Sequence, residues 1–236
     1  MGRQISPPAF QRQSSAVVSA EADHRIANSL AVIASLVRVR ASKVNGAADP
    51  RTFLLEIADR IDTVGKLHHL FARCPADDVQ LEAYLQEICE RLSGALTQSA
   101  TSYSVACPRT MRVPFSVALP LGLIAAELFS NSLKYAHPSG LPVKISLSCS
   151  QAAQDALTFV FEDDGVGFPE DFDTSSDGHL GMRFIRLLGE QLGGTPNWHS
   201  DPLGLRYEMT VPMPSRDAAA AAPPGTTQSG LSVRYR

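Results

Sequence analysis

The positions of the prolines limit where long helices can form in this chain. No proline lies between Pro8 and Pro50, between Pro50 and Pro75, or between Pro75 and Pro108. Proline inside a helix costs about 3 kcal/mol, so each of these intervals can hold an uninterrupted helix. The first two intervals carry apolar residues at amphipathic-helix spacing, namely Ile26, Leu30, Ile33, Val37, Leu54, Ile57, Ile61 and Val64. Because Asn-Gly and Asp-Pro turn signals separate them, residues 15–74 are predicted to form an antiparallel helical hairpin.

A two-helix hairpin cannot bury both of its apolar stripes by itself. A second copy of the chain, related by a two-fold axis, would cover both stripes in a four-helix bundle. We therefore expect a homodimer. Packing of the hairpin on the remainder of its own chain would also cover the stripes and stays as the alternative.

After residue 75 the pattern becomes a mixture of helices and strands. The predicted helices are 79–98, 120–136 and 180–192, and the predicted strands are 102–106, 143–148, 156–162 and 204–212. Pro120 is predicted at the start of its helix. An all-helical start followed by mixed elements indicates an α+β protein of two domains. The predicted division is a disordered tail (1–14), the hairpin (15–74), the mixed domain (75–213) and a second disordered tail (214–236).

Composition excludes several classes of protein. The chain has 24 acidic and 21 basic residues and a net charge of −3, which argues against a nucleic-acid binder held by a broad basic surface. Cysteines 74, 89, 107 and 149 include no close pair for zinc or redox chemistry, so we expect buried thiols in a reducing compartment. The most apolar stretch, 117–129, contains a proline and is too short to cross a bilayer. We therefore expect a cytoplasmic protein without a membrane span.

A polar column is predicted on the apolar helix 120–136. Glu127, Asn131 and Lys134 are spaced so that all three share one helical face. A carboxylate, an amide oxygen and an ammonium suit a hydrated magnesium ion and the phosphates that it bridges, because magnesium retains waters and takes few protein ligands. The same residues can also be a solvated ion pair, and the spacing alone does not separate these interpretations.

A second candidate cluster follows a buried strand. Asp163 ends this strand and begins the run Asp-Asp-Gly-Val-Gly. A carboxylate at a strand end can accept a hydrogen bond from an exocyclic amine such as that of adenine. Gly165 and Gly167 would let the backbone turn tightly and approach a flat base. An Asp-Gly hairpin turn is the alternative interpretation.

A third candidate cluster opens the helix 180–192. It reads Asp-Gly178-His-Leu180-Gly181-Met. Glycines at a helix start expose backbone N–H groups, which can bind a phosphate. A flexible loop with a glycine cap would have the same sequence.

The order and spacing of the three clusters resemble the N, G1 and G2 boxes of the GHKL ATP-binding fold. Histidine kinases, gyrase-type ATPases and chaperone ATPases share this fold. In the hairpin, the segment containing His24, Arg25 and Asn28 is similar to the phosphoacceptor box of two-component sensor histidine kinases related to the HWE kinases. HWE kinases proper have His where Ala126 stands and Trp-x-Glu where Trp198 is followed by His-Ser, so the chain resembles their sister subclass. The resemblance extends over about residues 20–212.

The resemblance implies a fold and a set of ligands. The expected fold is an N-terminal antiparallel helical hairpin, paired into a dimeric four-helix bundle, followed by a GHKL (Bergerat) α/β sandwich. ATP and Mg²⁺ are the implied cofactors. In this interpretation Asn131 binds the metal, Lys134 contacts phosphate, Tyr135 packs near the base, and Asp163 binds the adenine amino group. The other implied nucleotide-binding positions are Gly165, Gly167, Gly178, Leu180 and Gly181, with 168–181 as a lid.

The resemblance also implies the chemistry of the hairpin. His24 would accept the γ-phosphoryl group and donate it to an aspartate of a response-regulator receiver domain. Asn28, one turn later, could place a water for dephosphorylation of a partner. Glu21 and Asp23 are both candidates for the base that deprotonates His24. Because residues 1–20 are too few for a sensory domain, input is expected from a separate sensory protein, from oligomer geometry or from the tails.

Two other functions fit parts of the same sequence. A histidine phosphotransferase on this architecture would bind partners but not ATP; the intact clusters around Asn131 and Asp163 argue against it. A GHKL ATPase would use the hairpin only to dimerise. In that case Glu127 would be the general base and His24 would be incidental.

Overall fold

The computed structural model describes the second domain almost completely. The residues that it describes are 78–94, 101–153, 155–174 and 180–213, with positions 54, 57, 58, 61–63 and 65. The helices are α1 (Leu81–Gly94), α2 (Phe115–Tyr135) and α3 (Leu180–Gln191). The strands are β1 (Asp78–Gln80), β2 (Ser102–Ala106), β3 (Arg112–Pro114), β4 (Lys144–Ala153), β5 (Ala156–Asp163), β6 (Thr195–Asp201) and β7 (Gly204–Pro212).

Five of the strands form one mixed sheet in the order β2-β4-β5-β7-β6. The pair β2–β4 is parallel, and the other three pairs are antiparallel. A parallel pair needs a long crossover connection; here the segment from β2 to β4 contains β3 and α2. The short strands β1 and β3 form a separate antiparallel pair, with Val79 opposite Val113.

The core lies between the three helices and one face of the sheet. Along β5, Leu157, Phe159 and Phe161 are buried, whereas Thr158 and Glu162 on the opposite face are partly exposed. This alternation is the period of a strand with one face packed on a core. Apolar residues of α1, α2 and α3 belong to the same buried cluster. The α/β sandwich predicted for the second domain is thus confirmed.

Helix α2 begins earlier than the sequence predicts. Its first residue is Phe115, after Pro114 in extended conformation, and Pro120 lies inside the helix rather than at its start. Proline in this position removes one backbone hydrogen bond, to the carbonyl of Ser116 four residues before. Ser116 is exposed, so water can satisfy that carbonyl, while the Pro120 ring is buried in the core. Burial of the Pro120 ring therefore offsets the loss of this backbone hydrogen bond.

By length and composition, α2 is also a helix that could cross a membrane. It has 21 residues, and the mean hydropathy of an 18-residue window within it is 1.4. Its apolar side chains are mostly buried against the sheet and the other helices. It is therefore a core helix of the domain.

Three further predictions concern the bounds of the elements, the cysteines and the hairpin. Helix α1 begins at Leu81 because residues 78–80 pair with β3, and β1, β3 and β6 are strands that the sequence did not predict. Cys89, Cys107 and Cys149 are buried free thiols, as expected, and burial raises the pKa of Cys89 to about 12. The predicted tails, the bundle and most of the hairpin lie outside the described residues; the described positions between 54 and 65 are helical.

Candidate functional site

The three polar clusters predicted from the sequence meet at one cavity of about 690 Å³. This volume is in the range of small-molecule sites. Its walls come from α2, the end of β5, the segment 166–172 and the start of α3. The polar residues that line it include Glu127, Ser130, Asn131, Ser132, Lys134 and Asp163, and the apolar ones include Leu123, Ala126, Val166, Phe168, Phe172, Met182, Phe184 and Leu205.

Helix α2 contributes the predicted polar column. Glu127, Asn131 and Lys134 all line the cavity, with Glu127 and Asn131 partly buried and Lys134 exposed. Tyr135 also lines it and is 67% exposed, which places its ring at the mouth. The cavity wall thus presents a carboxylate, an amide and an ammonium along one helical face.

Asp163 is fixed by hydrogen bonds from two different elements. Its Oδ1 accepts the backbone N–H of Gly165 at 3.0 Å, and its Oδ2 accepts the hydroxyl of Ser132 at 2.5 Å. Ser132 lies on α2 and is 4% exposed. The sequence analysis did not select Ser132. A serine four residues after Leu128, in a buried stripe of α2, is the signal that could have found it.

The two glycines after Asp163 have different surroundings. A β-carbon on Gly165 would meet the Cα and Cβ of Ala136 at 2.6 Å, and Val166 N–H donates to Ala136 O at 2.9 Å. Gly165 therefore allows the turn to approach the end of α2, and it is not among the residues that line the cavity. Gly167 lines the cavity, has a φ of +69°, and packs against Ser200 and Asp201. Its conformation is one that residues with a β-carbon rarely adopt.

Asp164 belongs to a neighbouring cluster with His137 and Lys144. Its Oδ1 accepts hydrogen bonds from the Lys144 backbone N–H at 2.8 Å and from His137 Nε2 at 3.1 Å. Burial acts to raise the pKa of the Asp164 carboxyl, but these two donors outweigh it, so the pKa lies below its ordinary value. Since His137 follows α2 and Lys144 begins β4, the cluster ties both elements to the end of β5.

A row of aromatic rings leads from the cavity into the core, and the sequence analysis did not identify it as part of the site. Phe168 stacks on Phe172 at 4.4 Å between ring centroids, and both rings line the cavity. Phe168 also contacts Trp198 at 5.5 Å, which in turn meets the buried Tyr207 edge-on at 4.7 Å. The Phe168 N–H donates to Ser200 Oγ at 2.6 Å. The segment after Gly167 is thus anchored on β6, whose Trp198 packs in turn on β7.

The third cluster is described in part. Gly181 lines the cavity, and Leu180 is the first residue of α3. Backbone N–H groups at a helix start favour an anion, and this helix start lies at the cavity. Gly178, His24 and Asn28 lie outside the described residues.

The donor set of the cavity matches magnesium better than a transition metal. Among the described residues, no group of three or more His, Cys, Asp or Glu side chains could hold a metal ion. Glu127 and Asn131 offer oxygen ligands on one wall. Magnesium is commonly bound by one or two protein oxygens together with waters and substrate phosphates, so these residues fit it.

Two family models match the chain, and together they take in most of it. Residues 21–96 match a model described as histidine kinase. Residues 116–215 match a model described as histidine kinase-, DNA gyrase B- and HSP90-like ATPase. The first includes the predicted phosphoacceptor segment, and the second includes every described residue that lines the cavity from α2 onward.

The curated relatives that the chain resembles are histidine kinases. The chain is 28% identical over 196 residues to blue-light-activated histidine kinase 2 of Erythrobacter litoralis, which covers 82% of this chain and 56% of the relative. It is 26% identical over 199 residues to the sensor histidine kinase PdtaS of Mycobacterium tuberculosis, covering 78% of this chain and 38% of the relative. The chain therefore spans only about half, or less, of the length of these relatives.

A solved structure agrees with the family models. The histidine kinase domain of the Erythrobacter litoralis EL346 blue-light-activated histidine kinase aligns with a TM-score of 0.62 and 26% identity, over 82% of this chain and 93% of that domain. The alignment and both family models thus agree with the fold. The chain therefore belongs to the histidine kinases, with a histidine kinase region at 21–96 and the ATPase domain at 116–215.

Proposed function

We propose that this chain is an ATP-dependent protein-histidine kinase that phosphorylates its own His24 and passes the phosphoryl group to an aspartate of a response regulator. The observation that carries the proposal is the gathering of Asn131, Lys134, Asp163 and Gly181 around one cavity of nucleotide size. Each of these residues supplies a different contact that ATP needs. The cavity thus argues against a phosphotransferase that does not use ATP.

The adenine end of the nucleotide is assigned to Asp163. The Gly165 N–H and the Ser132 hydroxyl each take one acceptor position on its carboxylate. A carboxylate has about four such positions, so it can still accept the adenine amino group. Tyr135, at the mouth of the cavity, is placed to pack near the base, and Gly167 forms part of the wall.

The phosphate end is assigned to the polar column of α2 and the start of α3. Lys134 would contact the phosphates together with Gly178, Leu180 and Gly181, and 168–181 would form the lid. Asn131 would hold Mg²⁺, with Glu127 beside it. Mg²⁺ held there would supply positive charge to offset the negative charge that develops on the phosphates.

The chemical step is proposed at His24. A ring nitrogen attacks the γ-phosphorus, an N–P bond forms, and the bond to the bridging oxygen of ADP breaks. The proton on the other ring nitrogen passes to a base, for which Glu21 and Asp23 are both candidates. Neutral imidazole is abundant at cytosolic pH, so alignment is the main requirement. Asn28 is proposed to place a water for dephosphorylation of the partner.

We propose a cytoplasmic homodimer formed by the hairpin 15–74, followed by the ATP-binding domain 75–213. Two residues of the predicted apolar stripe, Leu54 and Ile61, are 64% and 47% exposed in the single chain. Their exposure supports coverage by a second copy. The partners would be a receiver domain and a separate sensory protein.

Labelling with [γ-³²P]ATP tests the proposal. The purified protein should acquire a label that is labile in acid and stable in alkali, as expected for phosphohistidine. The label should be lost in His24→Ala and retained in the matched control His69→Ala, which removes another histidine of the same predicted hairpin. Asp163→Asn should also abolish it by weakening ATP binding.

Three other results would overturn the proposal, and each would indicate a different function or a different acceptor residue. Label acquired only from a phosphorylated receiver would indicate a phosphotransferase. ATP hydrolysis without any stable label, lost in Glu127→Gln, would indicate a GHKL ATPase in which the hairpin only dimerises. A label that survives His24→Ala would place the acceptor elsewhere.

A further inference from the structure

Ser132 is a buried polar side chain in an otherwise apolar stretch of α2. It is 4% exposed, and the buried residues next to it along the chain are Leu128 and Phe129 on the helix and Ala136 just after it. Serine has a lower helix propensity than alanine, which would fill the same space. A hydroxyl in this position therefore needs a partner, and two acceptors are close.

The two acceptors compete for one proton. The Ser132 hydroxyl oxygen lies 3.1 Å from the carbonyl of Leu128 and 2.5 Å from Oδ2 of Asp163. A hydroxyl donates only one hydrogen bond. Hydrogen bonds from O–H to a carboxylate are short, at about 2.5–2.7 Å, and about twice as strong as bonds to neutral acceptors. The contact with Asp163 is therefore the one that the proton occupies.

This hydrogen bond determines how the Asp163 carboxylate is oriented. The Gly165 N–H holds Oδ1 from the turn that follows β5, and the Ser132 hydroxyl holds Oδ2 from α2. With both oxygens held, rotation of the carboxylate about its terminal bond is blocked. Without Ser132, a single backbone donor would remain and the group could turn away from the cavity.

We propose that Ser132 is a positioning residue, which holds Asp163 in the orientation that receives the amino group of adenine and so favours nucleotides with a donor at C6 of the purine. This inference rests on the proposed function, because it takes the cavity as the nucleotide site. Ser132 acts through Asp163 and has no direct part in phosphoryl transfer. The other possible role of the hydroxyl, a bond to its own helix at Leu128, would affect stability alone.

Nucleotide affinity separates the two roles when it is measured with two ligands. The probes are ADP and purine riboside 5′-diphosphate, which differ only in the amino group at C6, titrated by calorimetry into the full chain. Ser132→Ala should lower the affinity for ADP by roughly tenfold, as expected for loss of a hydrogen bond to a charged group. It should change the affinity for the analogue by less than about twofold, because the analogue does not use the orientation of Asp163. Ser116→Ala, an exposed serine on the same helix, is the matched control and should change neither.

The outcomes distinguish this inference from the proposed function. If Ser132→Ala lost the same affinity for both ligands, or no affinity for either, the positioning role would be overturned while the nucleotide site stands. Failure of the unaltered protein to bind ADP would overturn the proposed function itself. Because alanine fits the same space and favours a helix, the variant should fold, and thermal melting would verify this.

Discussion

Gly165 lies so close to Ala136 that a β-carbon on Gly165 would come within 2.6 Å of the Cα of Ala136. The Val166 N–H reinforces this approach by donating to the Ala136 carbonyl at 2.9 Å. Ala136 follows α2 and Gly165 follows β5. The contact therefore sets the separation between the wall that carries Asn131 and the wall that carries Asp163.

Gly165→Ala should damage both stability and nucleotide binding. The new β-carbon has backbone on one side, so α2 and the turn must separate. Overpacking of this kind costs about 1–3 kcal/mol of the free energy of unfolding. Urea denaturation and calorimetry with ADP would measure the two losses. Gly94→Ala at the end of α1, where nothing lies within 4 Å of the added carbon, is the control and should change neither.

The carboxyl of Asp164 should contribute to the acid sensitivity of the domain. Its pKa in the folded protein is below the unfolded value of about 3.9. The stabilisation is therefore fully present above about pH 5 and is lost as the pH falls below about 4 through the folded pKa. Asp164→Asn should flatten the dependence of Tm on pH in this window. The side chain is 39% exposed, so the difference should stay below about 1 kcal/mol.

A second variant tests the cause of this pKa shift. His137→Gln keeps a hydrogen-bond donor near Asp164 but removes the charge of the imidazolium. It should lose part of the pH dependence and keep the part due to the Lys144 backbone N–H. If the Asp164→Asn variant follows the unaltered protein at every pH, the interpretation of the cluster is wrong.

Trp198 should report nucleotide binding, since it is the single tryptophan of the chain. Phe168 lies 5.5 Å from its ring and itself lines the cavity, so a nucleotide that moves Phe168 changes the surroundings of the indole. We expect the emission of Trp198 to change on addition of ADP. In Phe168→Leu the change should be smaller, and ADP affinity should fall by severalfold. An unchanged signal in the unaltered protein at saturating ADP would contradict this coupling.

Substitution of Arg206, on the opposite face of the sheet, should have little effect on the free energy of unfolding or on ADP affinity. It bridges Glu162 and Glu208 between β5 and β7, but all three side chains are 39–45% exposed. Ion pairs at this exposure contribute about 0–1 kcal/mol. Arg206→Gln should therefore lower the free energy of unfolding by less than about 1 kcal/mol and leave ADP affinity unchanged. A larger loss, or a loss of affinity, would show that the two faces of the sheet are coupled.

The part of the site that depends on local geometry was predictable from the sequence. Glu127, Asn131 and Lys134 share a face because helical spacing requires it, and all three line the cavity. Asp163 was recognisable because a buried strand ends there. Where Gly165 would lie was not predictable, because its contact with Ala136 depends on how β5 meets α2.

The features that the sequence did not predict are those that depend on distant partners. Ser132 meets Asp163 across 31 residues, and nothing near Ser132 in the sequence marks that partner. Strand β6 contains Pro196 and mostly polar residues, and it becomes a strand by pairing with β7. The predicted start of α2 was wrong because burial of the Pro120 ring outweighs the tendency of proline to lie at the start of a helix.

The turn that joins β4 to β5 divides the site in two along the chain. Asn131 and Lys134 precede the hairpin between β4 and β5, and Asp163 and Gly181 follow it. A chain cut at this hairpin would give two fragments, each with one wall of the cavity. The nucleotide would bind only the reassembled pair, so it would favour their association by mass action. The domain is thus a natural starting point for a split reporter that assembles on ATP.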